Sequence, residues 1–571
     1  MLNVAAAYRR LTSADGPFPI VQSEVDGREM WVFDRGPYTT ADLLASLSAF
    51  ADRPALTYET RTWTYGELLA DVQRAAQGLV RAGVEPGDRV AIAMRNYPEW
   101  IVSFWAAQFV GAVTVPINAW LTGAEIARLL SDCEPKVLIA DGERIDRLQQ
   151  VEARLPDVVV SVRATGAHDT AIAWKDFVPS EPEDLKPALR ESADIAMIAY
   201  TSGTTGIPKG VLATQRNLLS AIVNMRLRVA ARSLASGDPD ERGNLPEAPQ
   251  ATALIVVPLF HISGLSQTIA HLYAGRHVVL TYRWNLHTAA ELIKRYRVEE
   301  LSGPPLIISE IVGAAAGDHG PALSSLKALS VGGSATPPEL VDRIYATFDG
   351  RLGGGTGYGS TETTGPITLI SAEEFKARTD SAGMLLPTVE ARIRKPDGTL
   401  GQQGEPGELE VFGPQVSPGY RSAADTGQCF TDGWFSTGDL ATLDAEGYLR
   451  IVGRVKDIVI RGGENVYPAE IEAVLTTHPH VVEAAVYGVA EPRYGEVPHA
   501  VVRCDDPGLV DPEELRAVVA DRLAAFKVPA RIVVVTDPLP RNATGKVIKY
   551  QLAEFVRSRS GSDDQEGSPW T

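Results

Sequence analysis

Between Thr64 and Asp141 the chain alternates strand-like and helix-like segments, and this rhythm constrains the fold more than any other feature. Thr64 and Glu67 form a capping box, in which a side-chain oxygen and a carboxylate three residues on satisfy the first free backbone N–H groups of a helix. The helix that follows carries Leu68, Leu69, Val72, Ala76, Leu79 and Val80 on one face at helical spacing. Gly83 ends it, Pro86-Gly87 turns the chain, and Arg89–Met94 reads as a strand. Thr122 and Glu125 repeat the capping box, and Val137–Ala140 reads as the next strand. Strand and helix in alternation predict an α/β fold of doubly wound sheets.

The chain has 571 residues, 44% hydrophobic and 22% charged, enough to bury a large core without disulfide or metal staples. A formal net charge of −18 disfavours nucleic acid, because such partners need basic patches that displace counterions. The three cysteines, Cys133, Cys429 and Cys504, are too dispersed for a disulfide framework or a Cys-rich zinc site and fit a reducing compartment. The most apolar region, Ile101 to Ile117, is broken by Ser103, Gln108, Gly111 and Pro116. It reads as a buried helix and strand, since a membrane span needs about 20 apolar residues. The N-terminus, with Arg9 and Arg10 after a short Ala-rich stretch, has the wrong order for a signal peptide, so the expected location is cytoplasmic.

Arg228 to Gln250 is polar and carries Gly237, Pro239, Gly243, Pro246 and Pro249, so it reads as a surface loop. Composition shifts near Gly453. Beyond it, a helix from Pro468 to about Thr477, strands at Val482–Val489 and His499–Cys504, a helix opened by Asp511-Pro512 and a strand at Arg531–Thr536 make a compact α+β unit. Residues 557–571 are rich in Ser, Gly and Asp and read as a disordered tail.

Chemistry concentrates first at Tyr200-Thr201-Ser202-Gly203-Thr204-Thr205-Gly206-Ile207-Pro208-Lys209-Gly210, which follows the apolar strand Ile195 to Ala199. Glycines let backbone N–H groups approach phosphate oxygens, small hydroxyls donate, and a lysine neutralises charge. The string is not a Walker A loop, because Pro208 precedes Lys209. A plain surface turn is the bland alternative. No His-Glu-x-x-His or Gly-x-Ser-x-Gly occurs, and Gly353 to Gly359 does not fit Gly-x-Gly-x-x-Gly.

The string resembles the signature of the adenylate-forming superfamily: acyl-CoA synthetases, peptide-synthetase adenylation domains and luciferases. Pro258-Leu259-Phe260-His261, Gly357-Tyr358-Gly359-Ser360-Thr361-Glu362, Ser436-Thr437-Gly438-Asp439, Gly453-Arg454 through Glu470, and Pro540 to Lys546 follow in the family's order. The resemblance implies a large N-terminal adenylate-forming domain, residues 1–455, and a small mobile α+β domain, residues 456–556. It implies two half-reactions: a carboxylate attacks the α-phosphate of ATP, giving acyl-adenylate and pyrophosphate, and a thiol then displaces AMP. ATP, Mg2+ and coenzyme A are the implied cofactors. By the same resemblance Thr201, Ser202, Gly203, Thr204, Thr205, Gly206 and Lys209 hold the phosphates, and Thr201 with Glu362 contacts Mg2+, which takes few protein oxygens. Gly332, Gly333 and Ser334 with Gly357, Tyr358, Gly359, Ser360 and Thr361 form the nucleotide slot. Asp439 accepts from the ribose hydroxyls, unless it is simply a cap after Gly438; Arg454 contacts ribose or phosphate. Lys546 bridges the carboxylate and the α-phosphate, a role that suits a compact, rotatable ammonium. Lys456 marks the hinge, and Gly462 and Gly463 line a pantetheine tunnel or make a tight turn.

His261 stands where amino-acid-activating relatives carry an Asp for the substrate ammonium, which argues against an amino-acid substrate. Together with Gly264, Leu265, Pro305, Leu306, Ser334 and Gly359 it outlines an apolar, uncharged acyl pocket. Ser334 and Ala335 depart from the Ala and Pro common at these places in the family. A hydrophobic acid is expected: fatty, as in fatty acid metabolism, aryl, or a bulky alicyclic or terpenoid acid. The expected partners are this carboxylic acid, ATP and CoA, with a homodimer compatible. The rival readings are an adenylating enzyme that loads a carrier-protein thiol, an enzyme of one half-reaction, a luciferase-like oxygenase and a non-catalytic binding homologue.

Overall fold

The computed structural model describes residues 3–164, 171–181, 183–201, 208–236, 249–333, 336, 338–348, 353–461, 464–541 and 547–559. Two compact units emerge, one of residues 1–391, 411–435 and 446–449, the other of residues 392–410, 436–445 and 450–571.

Both capping boxes read from the sequence form. Thr64 caps Tyr65–Arg81 and Thr122 caps Gly123–Cys133, each with reciprocal side-chain and backbone bonds. Tyr65–Arg81 buries Leu68, Val72, Ala76 and Leu79, whereas Val80 stays 45% exposed at the margin of the face. In the first unit one sheet runs in the spatial order Lys209–Thr214, Ile195–Thr201, Val113–Pro116, Arg89–Ala93, Val137–Asp141, Val158–Val162, Ile172–Ala173. Its strands are parallel except the first pair, where Thr201 lies opposite Lys209 in antiparallel register.

A second sheet of this unit sets Ala328–Val331 between Glu300–Gly303 and Gly353–Ser360, all parallel, and continues through Thr252–Ile255, His277–Leu280 and Pro54–Tyr58. Register pairs Gly303 with Val331 and Val331 with Thr356, so the carboxyl ends of these strands share one edge. In open α/β sheets ligands bind outside such an edge. The helix Pro98–Phe109 lies buried along nearly its whole length, with Trp100, Phe104 and Trp105 at 1% exposure or less.

The polar stretch after Arg228 departs from the loop expected there. The helix Gln215–Ser236 takes up its first part, and Arg228 is 6% exposed, paired with Glu374. A buried guanidinium held by a carboxylate behaves as core, which polarity alone does not reveal. Residues 237–248 lie outside the described residues. The helix Leu552–Arg557 runs up to the expected disordered tail, 557–571, of which residues 560–571 lie outside the described residues.

The second unit holds a sheet ordered Glu464–Val466, Val459–Arg461, Gly495–Cys504, Val481–Glu491, with Arg531–Val535 parallel to Gly495–Cys504. Its helices Pro468–Leu475 and Pro512–Arg522 cover a core of Val459, Ile471, Leu475, Val502, Leu515 and Val519. These elements follow the strand and helix order read from the sequence.

Candidate active site

The antiparallel pair Ile195–Thr201 and Lys209–Thr214 brings the two ends of the glycine- and threonine-rich string together. The Thr201 hydroxyl donates to the Lys209 carbonyl at 3.5 Å. Residues Ser202, Gly203, Thr204, Thr205 and Gly206 lie outside the described residues. The Lys209 ammonium sits 2.7 Å from Asp425 Oδ1 and 5.2 Å from the centre of the Tyr420 ring, a cation over an aromatic face. The lysine hydrogen bond holds the exposed Asp425 carboxyl below its ordinary range.

Tyr420 is the residue that joins the string to Glu362. Its backbone bridges Val211, and its N–H donates to Thr426 Oγ1 at 2.9 Å. Its hydroxyl donates to Glu362 Oε1 at 2.9 Å. Burial, and next the Glu362 carboxylate, push the phenol well above its usual range, so it keeps its proton and remains a donor.

Glu362 stands on a tight turn between Gly353–Ser360 and Gly365–Ser371. The Thr363 hydroxyl donates to the Gly365 carbonyl at 2.7 Å, and Thr364 takes a left-handed φ of 55°. The segment 414–417 supports this turn: Ser417 N–H donates to the Glu362 carbonyl at 2.8 Å, and Gln415 Nε2 donates to the carbonyls of Thr363 and Pro366 at 3.1 and 2.8 Å. That segment is itself held by the helix Gln215–Ser236, where Asn217 donates to the Pro414 and Val416 carbonyls and Asn224 to Gln415 Oε1. Thus the helix that follows the strand Lys209–Thr214 holds the segment that supports the turn carrying Glu362.

The strand Gly353–Ser360 needs its glycines because the neighbouring strand runs very close. A Cβ on Gly357 would lie 2.5 Å from the Thr368 carbonyl oxygen, and one on Gly359 would lie 2.1 Å from that of Gly365. Tyr358 N–H donates to Thr368 Oγ1 at 3.1 Å. The Ser360 hydroxyl is buried without a protein partner, beside the half-buried Thr361. Gly332 continues from Ala328–Val331 at the same edge, its N–H donating to the Gly303 carbonyl at 3.0 Å, and Gly333 follows with φ 83°. Ser334 lies outside the described residues.

His261 caps the helix Ile262–Tyr273, its ring 4.5 Å from Phe260 and 6.1 Å from Trp120, which meets Phe260 edge-on at 5.3 Å. Its Nε2 is buried without a partner, and burial pushes its pKa down to about 4, leaving a neutral ring. The loop before it is clamped by the buried Asn96, which donates to the Val257 carbonyl and accepts from Leu259 N–H. Gly264 permits the close seating of the helix, since a Cβ there would stand 2.2 Å from the Pro258 carbonyl oxygen. Leu265 is buried in the core, Pro305 opens the helix Pro305–Ala316, and Leu306 is 70% exposed.

In the second unit Arg454 Nε lies 2.8 Å from Asp439 Oδ1, and Asp439 N–H donates to Thr437 Oγ1 at 3.1 Å. Lys456 is exposed on the short turn Val455–Asp457. Arg461, before Gly462 and Gly463, donates to the Phe526 carbonyl at 2.9 Å. Gly462, Gly463 and Lys546 lie outside the described residues. The structure therefore brings Thr201, Lys209 and Glu362 into one connected group. Tyr420, Asp425, Gln415, Asn217, Asn224 and Asn96 carry no motif that would have singled them out; they gain significance through contacts distant in sequence.

Comparison with known proteins gives the family. The sequence model of the AMP-binding enzyme family matches residues 44–421, and that of the AMP-binding enzyme C-terminal domain matches residues 470–546. A feruloyl-CoA synthase of Amycolatopsis is 36% identical over 500 residues, covering 87% of this chain and 94% of its own. A 2-succinylbenzoate–CoA ligase of Bacillus velezensis is 35% identical over 514 residues, 88% of this chain and 95% of its own. The structure of O-succinylbenzoate coenzyme A synthetase from Bacillus subtilis, in complex with ATP and magnesium ion, superposes with a TM-score of 0.74 at 31% identity, covering 90% of this chain and 98% of that one. With the phosphate string, the Glu362 turn and both family domains in order, the chain belongs to the AMP-binding, adenylate-forming enzymes, in their acid–CoA ligase branch.

Proposed function

We propose that this protein is an AMP-forming ligase that joins an aromatic carboxylic acid to coenzyme A, using ATP and Mg2+. The observation that carries the reading is the linked group Lys209, Tyr420 and Glu362 beside the phosphate string. Attack of one anion on another requires charge neutralisation and positioning rather than covalent help. The residues present fit a metal–nucleotide complex. The Ser360 hydroxyl is buried and unpartnered at the strand edge, and Glu362 spends only Oε1 on Tyr420 among the described residues. An Mg2+ ion bound mainly by phosphates and water would need few protein oxygens, which Glu362 and Thr201 could supply. Magnesium, when bound, neutralises triphosphate charge.

In the first half-reaction a substrate carboxylate oxygen bonds to the α-phosphorus and the bond to pyrophosphate breaks. Lys209 exchanges Asp425 for a phosphate oxygen, and Lys546 attends the carboxylate and the α-phosphate. Asp439 and Arg454 serve the ribose. In the second, the thiol sulfur bonds to the acyl carbon and AMP leaves, with the small domain, residues 456–556, turned about Lys456 and its Gly462-Gly463 segment along the pantetheine. The acid is placed beside His261, where a neutral imidazole with a buried, unpartnered Nε2 and the rings of Phe260 and Trp120 offer an edge-and-face lining. That aromatic lining favours an aryl acid over a fatty one, and the named activities of the relatives, toward ferulic and 2-succinylbenzoic acids, point the same way.

Pyrophosphate release across cinnamic, benzoic, fatty and amino acids, with and without CoA, tests the reading. Aryl acids should be preferred, with CoA needed only for turnover to the thioester; a preference for α-amino acids overturns it. Lys546→Ala should nearly abolish acyl-adenylate formation yet spare thioester formation from supplied acyl-adenylate and CoA.

A further inference from the structure

The proposed chemistry leaves one buried polar side chain between its two charged partners without an assigned task. We propose that Tyr420 is a positioning residue of the adenylation step: its hydroxyl fixes Glu362 for the metal–triphosphate complex, while its ring guides Lys209. The inference rests on the function proposed above.

Three observations carry it. The hydroxyl donates to Glu362 Oε1 at 2.9 Å, so one carboxylate oxygen is occupied and the orientation of the other is set. The ring face lies 5.2 Å from the Lys209 ammonium, which also binds Asp425. The ring cannot drift, because Phe430 packs against it edge-on at 5.6 Å and the backbone is pinned by the Val211 bridge and the bond to Thr426. One rigid side chain therefore sets the separation of an anion meant for a cation and a cation meant for phosphate. Groups that orient a carboxylate ligand are worth about 10–100-fold in metal affinity. Holding the charged group before substrate arrives also removes an orientation cost from the reaction itself.

The test is Tyr420→Phe, which keeps the ring and its packing and removes only the hydroxyl. Calorimetric titration with ATP, in low Mg2+ and separately in EDTA, reads the nucleotide affinity without turnover. The expected result is about tenfold weaker ATP binding in Mg2+, unchanged binding in EDTA and an unchanged thermal midpoint. Acid-dependent pyrophosphate exchange should fall at low Mg2+ and recover as Mg2+ is raised, a rescue that a merely structural role would not give. Difluorotyrosine at position 420 keeps shape and hydroxyl while strengthening the donor, and should shift the Mg2+ requirement without altering the melt even if the Phe variant folds poorly. Equal losses in Mg2+ and EDTA, or none in either, overturn the positioning role. Failure of the unaltered protein to bind ATP in either condition instead overturns the proposed function.

Discussion

The two sides of the candidate site in the first unit solve opposite problems. On the phosphate side every key charge is already engaged: Lys209 with Asp425, and Glu362 with Tyr420. On the aromatic side His261 is surrounded by Phe260 and Trp120, with Nε2 shut away and unpartnered. Charges on the first side are kept paired, since an isolated ion in a desolvated place is costly. His261 is kept neutral instead, by burial. The difference teaches that the first side holds its charges by pairing them, and the second keeps its polar ring neutral by burying it.

The comparison breaks most visibly at Glu362. Glu362→Gln keeps an acceptor for Tyr420 but removes the charge, so acyl-adenylate formation should fall about 100- to 1000-fold, measured by acid-dependent pyrophosphate exchange. A loss below tenfold would remove Glu362 from the metal role. Lys209→Met should raise the ATP concentration needed for half-maximal exchange by about 10- to 100-fold, the scale of a lost charge-assisted hydrogen bond. Its thermal midpoint should hold, because the partner Asp425 is exposed enough to regain water.

The aromatic side is sharpened by pH. Folding lowers the His261 pKa from 6.5 to about 4, so between those values the unfolded chain binds the proton and the folded one does not. The sign follows from linkage: the folded state is undisturbed above about pH 6.5 and loses stability as pH falls toward 4, by at most about 3 kcal/mol from this residue. His271 and His277, also lowered to about 4 by burial, add to the same acid limb. Thermal midpoints of His261→Gln from pH 7 to pH 4 should therefore fall less steeply than those of the unaltered protein; parallel curves would mean that His261 is already open to protons. The smallest effect is expected at Asp425→Asn. Freeing Lys209 from an exposed partner should tighten ATP binding by less than about fivefold, and weaker binding would show that Asp425 orients the lysine rather than competing with phosphate.

How far the site could be read from the sequence depended on the distance over which its parts cooperate. Thr201, Lys209 and Glu362 stand out because each lies in a short string of unusual residues, and their elements follow local rules of alternation and capping. Arg228 shows the limit: its polarity suggested a loop, yet Glu374 neutralises it inside a helix packing that no local window reveals. Tyr420 shows the same limit at the site, lying 58 residues from the carboxylate it orients, in a stretch with no chemical signature of its own.

By itself the sequence determined the alternating α/β order, the helix starts at Thr64 and Thr122, and the family signature from Tyr200 to Gly210. The first two rest on backbone conformations and hydrogen bonds made within a few residues. Only the tertiary structure decided that Asp425 holds Lys209, that Tyr420 joins it to Glu362, and that Phe260 and Trp120 close around a neutral His261. Those choices depend on strand register and on burial, which exist only once distant segments have packed.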